Sequence, residues 1–76
     1  MQTHTVQSTT IAVITYESAW RQLYVQFRDS SAYMYFDVPV QVYQALLEAP
    51  SKGEYFNARI RGKFTYQRSG VPYADR

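Results

Sequence analysis

Two short segments with alternating apolar and polar residues place the strongest constraint on how this chain can fold. They are RQLYVQFR, residues 21–28, and AYMYF, residues 32–36. Side chains that alternate with a period of two are typical of a β-strand, and the short gap between the segments favours an antiparallel hairpin. The preceding segment TTIAVITY, residues 9–16, is rich in β-branched residues and predicts another strand.

The register of this hairpin decides which side chains face the core, because a shift of one residue exchanges the two faces. A two-residue loop at Asp29-Ser30 places Tyr33 and Tyr35 away from the core. A three-residue loop that also includes Ser31 turns both tyrosines into the core. We favour the three-residue loop, since neither Asp29 nor Ser30 is the glycine that a tight type I′ turn prefers.

Helix signals follow the third strand. Pro39 suits the first position of a helix, and Pro50 stops that helix eleven residues later. Between them, Val42, Leu46 and Ala49 have the spacing of one buried helix face. We therefore predict an amphipathic helix between the two prolines.

A second helix is predicted immediately afterwards. Ser51 and Glu54 form the pattern S-x-x-E of a capping box, in which the hydroxyl accepts from the Glu54 amide. The helix should run over about residues 52–61, with Gly62 just after its end. We interpret Gly53 as a position that allows the two helices to pack closely, rather than as a phosphate contact.

The element order is therefore β-β-β-α-α. We predict an α+β fold of two layers, a three-stranded antiparallel sheet with two helices packed on one face. The predicted organisation is a flexible N-terminus at 1–8, one domain at 9–68 and a flexible tail at 69–76.

Composition agrees with a small domain that relies on aromatic residues. The 76 residues include no cysteine, so neither disulfides nor thiolate metal sites can stabilise the fold. Eight Tyr, four Phe and one Trp provide large apolar surfaces instead. The N-terminus lacks the pattern of a signal peptide, and no apolar run approaches the length of a membrane helix, which together predict a cytoplasmic protein.

Positive charge is concentrated in the C-terminal part of the chain. Residues 1–50 carry a net charge of −2, whereas residues 51–76 carry +4. On a helical wheel, Lys52, Arg59 and Lys63 fall within a stripe about 40° wide beside the buried face, and Arg61 points to the opposite side. One interpretation is a solvated helix flank whose bases only aid solubility and complement the helix dipole.

Residues that could carry out catalysis are not found in a suitable arrangement. His4 is the single histidine and lies in the polar N-terminal segment, where nothing predicts a fixed geometry. The three glycines are too scattered for a phosphate-binding loop. We therefore expect neither an enzyme nor a metal or cofactor.

Several motifs together resemble one known family, the KTSC domain, which is named for the C-terminus of some lysyl-tRNA synthetases and also occurs as small bacterial and phage proteins. These motifs are L-x-V-x-F at 23–27, Y-x-Y at 33–35, Val38-Pro39, S-x-G at 51–53, Tyr55-Phe56-Asn57, Ile60-Arg61 and Tyr66. The family's usual Asn-Gly or Asp-Gly turn is replaced by Asp29-Ser30. The resemblance implies no catalytic residues and suggests RNA binding. Asn57 would either tie its helix to a backbone carbonyl or contact a ligand.

Our first functional hypothesis is therefore a module that binds RNA or single-stranded nucleic acid. Basic side chains would contact phosphates and aromatic rings, including tyrosines of the sheet, would stack on unpaired bases. The candidate residues are Lys52, Tyr55, Arg59, Arg61, Lys63, Tyr66 and Arg68.

The second hypothesis is a protein-interaction module, either a homodimer or a binder of a host or phage protein. It rests on the sheet face opposite the helices, where the favoured register places Tyr24, Met34 and Phe36 without an obvious cover.

Overall fold

The protein is described from a computed structural model that covers residues 2–6 and 8–69. Five strands form one antiparallel sheet in the order β1-β2-β3-β4-β5. Both helices lie between β4 and β5 in the chain. The elements are β1 Gln2–Thr5, β2 Ile11–Glu17, β3 Gln22–Phe27, β4 Ala32–Tyr35, α1 Val40–Glu48, α2 Lys52–Arg59 and β5 Tyr66–Ser69.

The predicted three-stranded sheet is therefore wrong, because the sheet has two further strands at its edges. β1 lies within the segment 1–8 that we expected to be flexible, and β5 lies at the boundary of the predicted tail 69–76, of which residues 70–76 fall outside the described part. Edge strands bury little side-chain surface, so their sequences need no apolar alternation. Residues 66–68 of β5, for example, are all exposed.

The β3–β4 hairpin has neither of the two predicted registers. Its loop contains Arg28, Asp29 and Ser30, and the Phe27 amide donates to the Ser31 carbonyl at 2.8 Å. The favoured register would pair Phe27 with Tyr33, whereas here Phe27 lies opposite Ser31, a shift of two residues. Because side chains alternate, the predicted face assignment is nevertheless correct, and Tyr35 is buried in the core.

Ser30 ends this loop in a left-handed conformation, with φ of 75°. A three-residue hairpin loop commonly places a left-handed residue, usually glycine, in this position. Asp29 holds the turn by accepting hydrogen bonds from the amide and the hydroxyl of Ser31, at 3.0 and 2.6 Å. Hydrogen bonds between Asp29 and Ser31 thus stabilise the turn although it has no glycine.

The core lies between the sheet and the two helices. Ile14 pairs with Val25, and Tyr16 pairs with Leu23, so these four side chains share the face that the helices cover. The side chains with almost no exposed surface are Phe56, Ile11, Ile14, Leu23, Leu46, Ile60, Val25 and Val38. The domain therefore consists of two layers, as the sequence predicted.

The helices begin and end close to the predicted residues. Pro39 is the N-cap of α1 rather than its first residue, and Leu46 is buried as expected. The Ser51 hydroxyl accepts from the Glu54 amide at 3.3 Å, which confirms this half of the capping box. α2 ends at Arg59, two residues earlier than predicted, and Gly62 then adopts a φ of 76°.

Gly53 has a different packing partner from the one predicted. A Cβ added at Gly53 would lie 3.1 Å from Oγ1 of Thr10, which precedes β2. The glycine thus allows α2 to approach the β1–β2 connection, not α1.

Side-chain contacts fix the N-terminal segment to the rest of the molecule. Arg28 donates to the backbone carbonyls of Ser8 and Val6 at 3.0 and 2.9 Å. Nε2 of His4 forms a hydrogen bond of 2.9 Å with the hydroxyl of Tyr43 on α1. His4 therefore has a defined geometry, contrary to the expectation from its polar surroundings in the sequence.

Replacing Ser30 with glycine should stabilise the protein by about 0.5–1 kcal/mol. Glycine avoids the strain of roughly 1–2 kcal/mol that a side chain suffers in the left-handed region, although its flexible unfolded state offsets part of the gain. Urea or thermal unfolding would measure the change, which corresponds to an increase of several degrees in Tm. Ser18→Gly, at an exposed turn residue without positive φ, is the matched control and should destabilise slightly. Equal effects at both sites would contradict this account of the hairpin.

Candidate nucleic-acid interface

A cluster of aromatic rings extends from the core to the β5 edge of the sheet. Phe56 is buried and packs edge-on against Tyr35, with ring centroids 5.5 Å apart. Tyr35 in turn contacts Tyr66 at 5.6 Å, and Tyr33 contacts Tyr66 at 5.7 Å. Tyr66 is 55 % exposed although it belongs to this cluster. The cluster thus presents the Tyr66 ring to solvent and holds it from behind with the buried Tyr35 and the half-buried Tyr33.

Arg61 lies beside these rings at the end of α2. Its guanidinium carbon is 6.0 Å from the centroid of the Phe56 ring, at the outer limit of a cation–π contact. A hollow of about 300 Å³ separates Arg61 from the Tyr33, Tyr35 and Tyr66 rings. The Arg61 guanidinium is therefore positioned next to the exposed face of the aromatic cluster.

A second hollow adjoins the first, because Tyr33 and Arg61 line both. It has a volume of about 470 Å³ and lies between α2, the start of β2 and the β3–β4 hairpin. Its walls include neutral polar side chains and charged side chains of both signs, among them Asn57, Thr10, Arg28 and Asp29. We call the two hollows together the aromatic–basic groove.

Arg68 adds a further positive charge at this side of the sheet. It lies on the edge strand β5 directly opposite Tyr33, and its side chain is exposed. The hydrogen bonds from Ser31 hold the pKa of Asp29 below its usual value, and the charge of Arg68 lowers that pKa further. Arg68 is thus close enough to influence the hairpin electrostatically.

The predicted stripe of Lys52, Arg59 and Lys63 is not assembled as a single helical surface. Lys63 lies beyond the end of α2, so the helical wheel does not apply to it. The ammonium group of Lys52 donates to the Ala49 carbonyl at 3.2 Å. Arg59 lies about 160° around the helix from the groove residue Asn57.

The other predicted residues of the nucleic-acid site divide among the core, the groove and β5. Tyr55 is half-buried and packs against the core. Tyr66 and Arg61 are exposed and line the groove. Arg68 is exposed on β5 but lines a separate hollow, together with Met34 and Phe36. The helical wheel placed Arg61 away from the basic stripe, but Arg61 is the basic residue that lies beside the aromatic rings of the groove.

The residues of the alternative protein interface lie on the sheet face away from the helices. Tyr24 and Met34 are cross-strand partners there. Tyr24 is only 2 % exposed, whereas Met34 and Phe36 are half-buried. The largest ring of this predicted surface therefore offers almost no accessible area.

Asn57 is the groove residue whose role the sequence left open. Its side chain is exposed and forms no hydrogen bond with any residue that the structure describes. It does not, within residues 2–6 and 8–69, tie α2 to a backbone carbonyl. The participation of Thr10 and Arg28 was not predicted at all, because distant parts of the chain bring these residues to the groove.

Within the described ranges, no three histidine, aspartate or glutamate side chains lie close enough together to bind a metal ion. Neither of the two helices in the described part of the chain is long and apolar enough to cross a membrane.

This combination of a five-stranded antiparallel meander and a helical pair inserted before the last strand defines a small α+β domain. A sequence model of the KTSC domain matches residues 7–64. The chain therefore belongs to the KTSC domain family, in agreement with the motifs in its sequence.

Relatives include both large and small proteins. The chain is 48 % identical over 52 residues to a protein named lysine–tRNA ligase from Trichormus variabilis, covering 68 % of this chain and 9 % of that protein. Three of the relatives carry the name lysine–tRNA ligase, and the match covers about a tenth of the length of each. An uncharacterised protein from Stutzerimonas stutzeri is 40 % identical over 68 % of this chain and 73 % of its own length.

A solved structure shares the same fold. The crystal structure of a KTSC domain protein from Yersinia pestis has a TM-score of 0.87 and 38 % sequence identity to this chain. The match covers 91 % of this chain and 97 % of that protein.

The protein should lose stability at alkaline pH because of its buried tyrosines. Burial raises the pKa of Tyr16, Tyr35 and Tyr43 above the ordinary value of about 10. Their neutral forms are favoured in the folded state, so this contribution is complete below pH 10 and is lost as the pH rises through the folded-state pKa values. Urea midpoints at pH 8 and pH 11 would measure the loss. Tyr35→Phe should reduce the loss, and an unchanged loss would contradict the prediction.

Proposed function

We propose that this chain is a non-enzymatic module that binds single-stranded RNA in the aromatic–basic groove, in the cytoplasm of a bacterium or of a bacterial host of a phage. Unpaired bases stack on the exposed Tyr66 ring, and Arg61 and Arg68 contact the phosphates. No cofactor or metal takes part.

The exposure of Tyr66 carries this proposal. A large ring that is 55 % exposed is held in place by Tyr33 and Tyr35, so little side-chain freedom is lost when a base stacks on it. Such base–aromatic contacts contribute about 1–3 kcal/mol each. The free face of a fixed ring beside two arginines is the combination that single-stranded nucleic acids recognise.

The charges near Tyr66 are available for a polyanion. Arg61 and Arg68 form no ion pair with a carboxylate in the described part of the chain. Arginine guanidinium groups suit both phosphate contacts and stacking on bases. Arg28, in contrast, already binds two backbone carbonyls, so its main contribution is structural.

The names of the relatives support RNA rather than another polyanion. Three of them are named lysine–tRNA ligase, and such proteins act on tRNA. A domain attached to such a protein is placed near RNA, which is an association and not a mechanism. The protein-interaction alternative has less support, because Tyr24 on the opposite sheet face is buried.

RNA affinity should depend on salt and on the two proposed phosphate contacts, Arg61 and Arg68. If three to five phosphates are contacted, log K should fall with log[salt] with a slope of about −2 to −3.5. The double variant Arg61→Glu/Arg68→Glu should weaken binding of labelled tRNA or oligouridine roughly tenfold or more at low salt. Fluorescence anisotropy at several salt concentrations measures both quantities.

The matched control for this experiment is Arg59→Glu/Arg21→Glu, which changes the net charge equally. Arg59 lies on the other flank of α2, and Arg21 lies in the turn before β3. Equal losses in both double variants would indicate only a general charge effect and would contradict a binding site in the groove. If the wild type binds no RNA at low salt but light scattering shows self-association, the protein-interaction alternative gains support.

Stacking on Tyr66 can be tested separately from charge. Tyr66→Ala should weaken binding of single-stranded RNA by about 5-fold or more, because one base–aromatic contact is lost. Tyr66→Phe keeps the ring and should retain nearly the wild-type affinity. Circular dichroism controls for folding, which should persist since Tyr66 is largely exposed. An alanine variant with wild-type affinity would exclude Tyr66 as the stacking surface.

A further inference from the structure

Asn57 lies in the groove, but no hydrogen bond to a described residue gives its side chain a role in stabilising the fold. It follows Phe56, which is buried, and its own side chain is exposed in the wall of the larger hollow. The amide carries hydrogen-bond donors and an acceptor, none of which bonds to a described residue. These groups are thus free to bond to a ligand in the hollow.

The hollow around Asn57 has the size and chemistry of a site for one planar, polar group. Its volume of about 470 Å³ lies within the usual range for small-molecule pockets. The Tyr33 ring and the Arg61 guanidinium line it, and both groups can stack on a nucleobase. Thr10, which packs against Gly53 of α2, also lines the hollow. A base could therefore be stacked and hydrogen-bonded at once.

We propose that Asn57 reads the edge of one unpaired adenine, which enters the larger hollow while the neighbouring nucleotides follow Tyr66 and Arg68. This inference rests on the proposed function and adds base specificity to it. The Asn57 amide accepts from the exocyclic amino group of adenine and donates to a ring nitrogen, the bidentate pairing that asparagine commonly forms with this base. Stacking with Tyr33 and Arg61 further favours a large purine.

The same geometry predicts which nucleobase the Asn57→Asp variant would prefer. Asn57→Asp has nearly the same shape but presents only acceptors. Guanine offers two adjacent donors, its ring N1–H and its exocyclic amino group, and these match a carboxylate. The aspartate variant should therefore change the preferred base from adenine to guanine.

Binding of four seven-nucleotide RNAs tests the proposal. One is oligouridine, and the others carry a single central A, C or G in the same uridine background. Wild-type protein should bind the A-containing RNA about 5- to 10-fold more tightly than oligouridine, as expected for one bidentate contact. Asn57→Ala should reduce this ratio below about twofold, and Asn57→Asp should bind the G-containing RNA most tightly. Ratios within one variant cancel the shared phosphate contribution.

Ala58→Asp is the matched control. Ala58 is the next residue of α2, is exposed and does not line the hollow, so it adds the same charge outside the site. This variant should bind all four RNAs more weakly but keep the preference for adenine.

The outcomes separate the two proposals. If the wild type binds none of the RNAs, both the proposed function and the reading of a base are wrong. If it binds all four equally, or keeps its preference for adenine in Asn57→Ala, RNA binding stands and the role of Asn57 is overturned.

Discussion

The packing of Phe56 against the sheet is the contact on which the remaining structure depends. Its ring meets Phe27 and Tyr35 edge-on, at centroid distances of 5.2 and 5.5 Å, and is 1 % exposed. Because α2 is attached to the sheet through this side chain, its neighbours in the chain are fixed as well. Asn57 is thereby held beside the β3–β4 hairpin and Arg61 beside the Tyr33, Tyr35 and Tyr66 rings, and the groove lies between them and the sheet.

The edge strand β5 makes the second contribution to the groove. Its pairing with β4 places Tyr66 opposite Tyr35 and Arg68 opposite Tyr33. An edge strand exposes its side chains while its backbone is held by one neighbour, so it can present a ring and a charge in fixed positions. The polar sequence that concealed β5 from strand prediction is thus suited to a binding surface.

Local patterns predicted the central elements because each depends on neighbouring residues. The alternation in β3, the proline before α1 and the Ser51 cap all act within a few residues. The wheel of α2 failed beyond Arg59, since the helix ends there and the chain turns through Gly62. The predicted basic stripe therefore included Lys63, which lies outside the helix, and placed Arg61 away from the aromatic residues it adjoins.

The sequence by itself determined the two-layer α+β class and the family, because periodicity and motif order are properties of the linear chain. Only the tertiary structure decided the number of strands, the hairpin register and the composition of the groove. Strand pairing at an edge depends on backbone hydrogen bonds that any polar residue can form. A groove between α2, a hairpin and β5 joins residues from 9 to 66, and no local pattern specifies which of them meet.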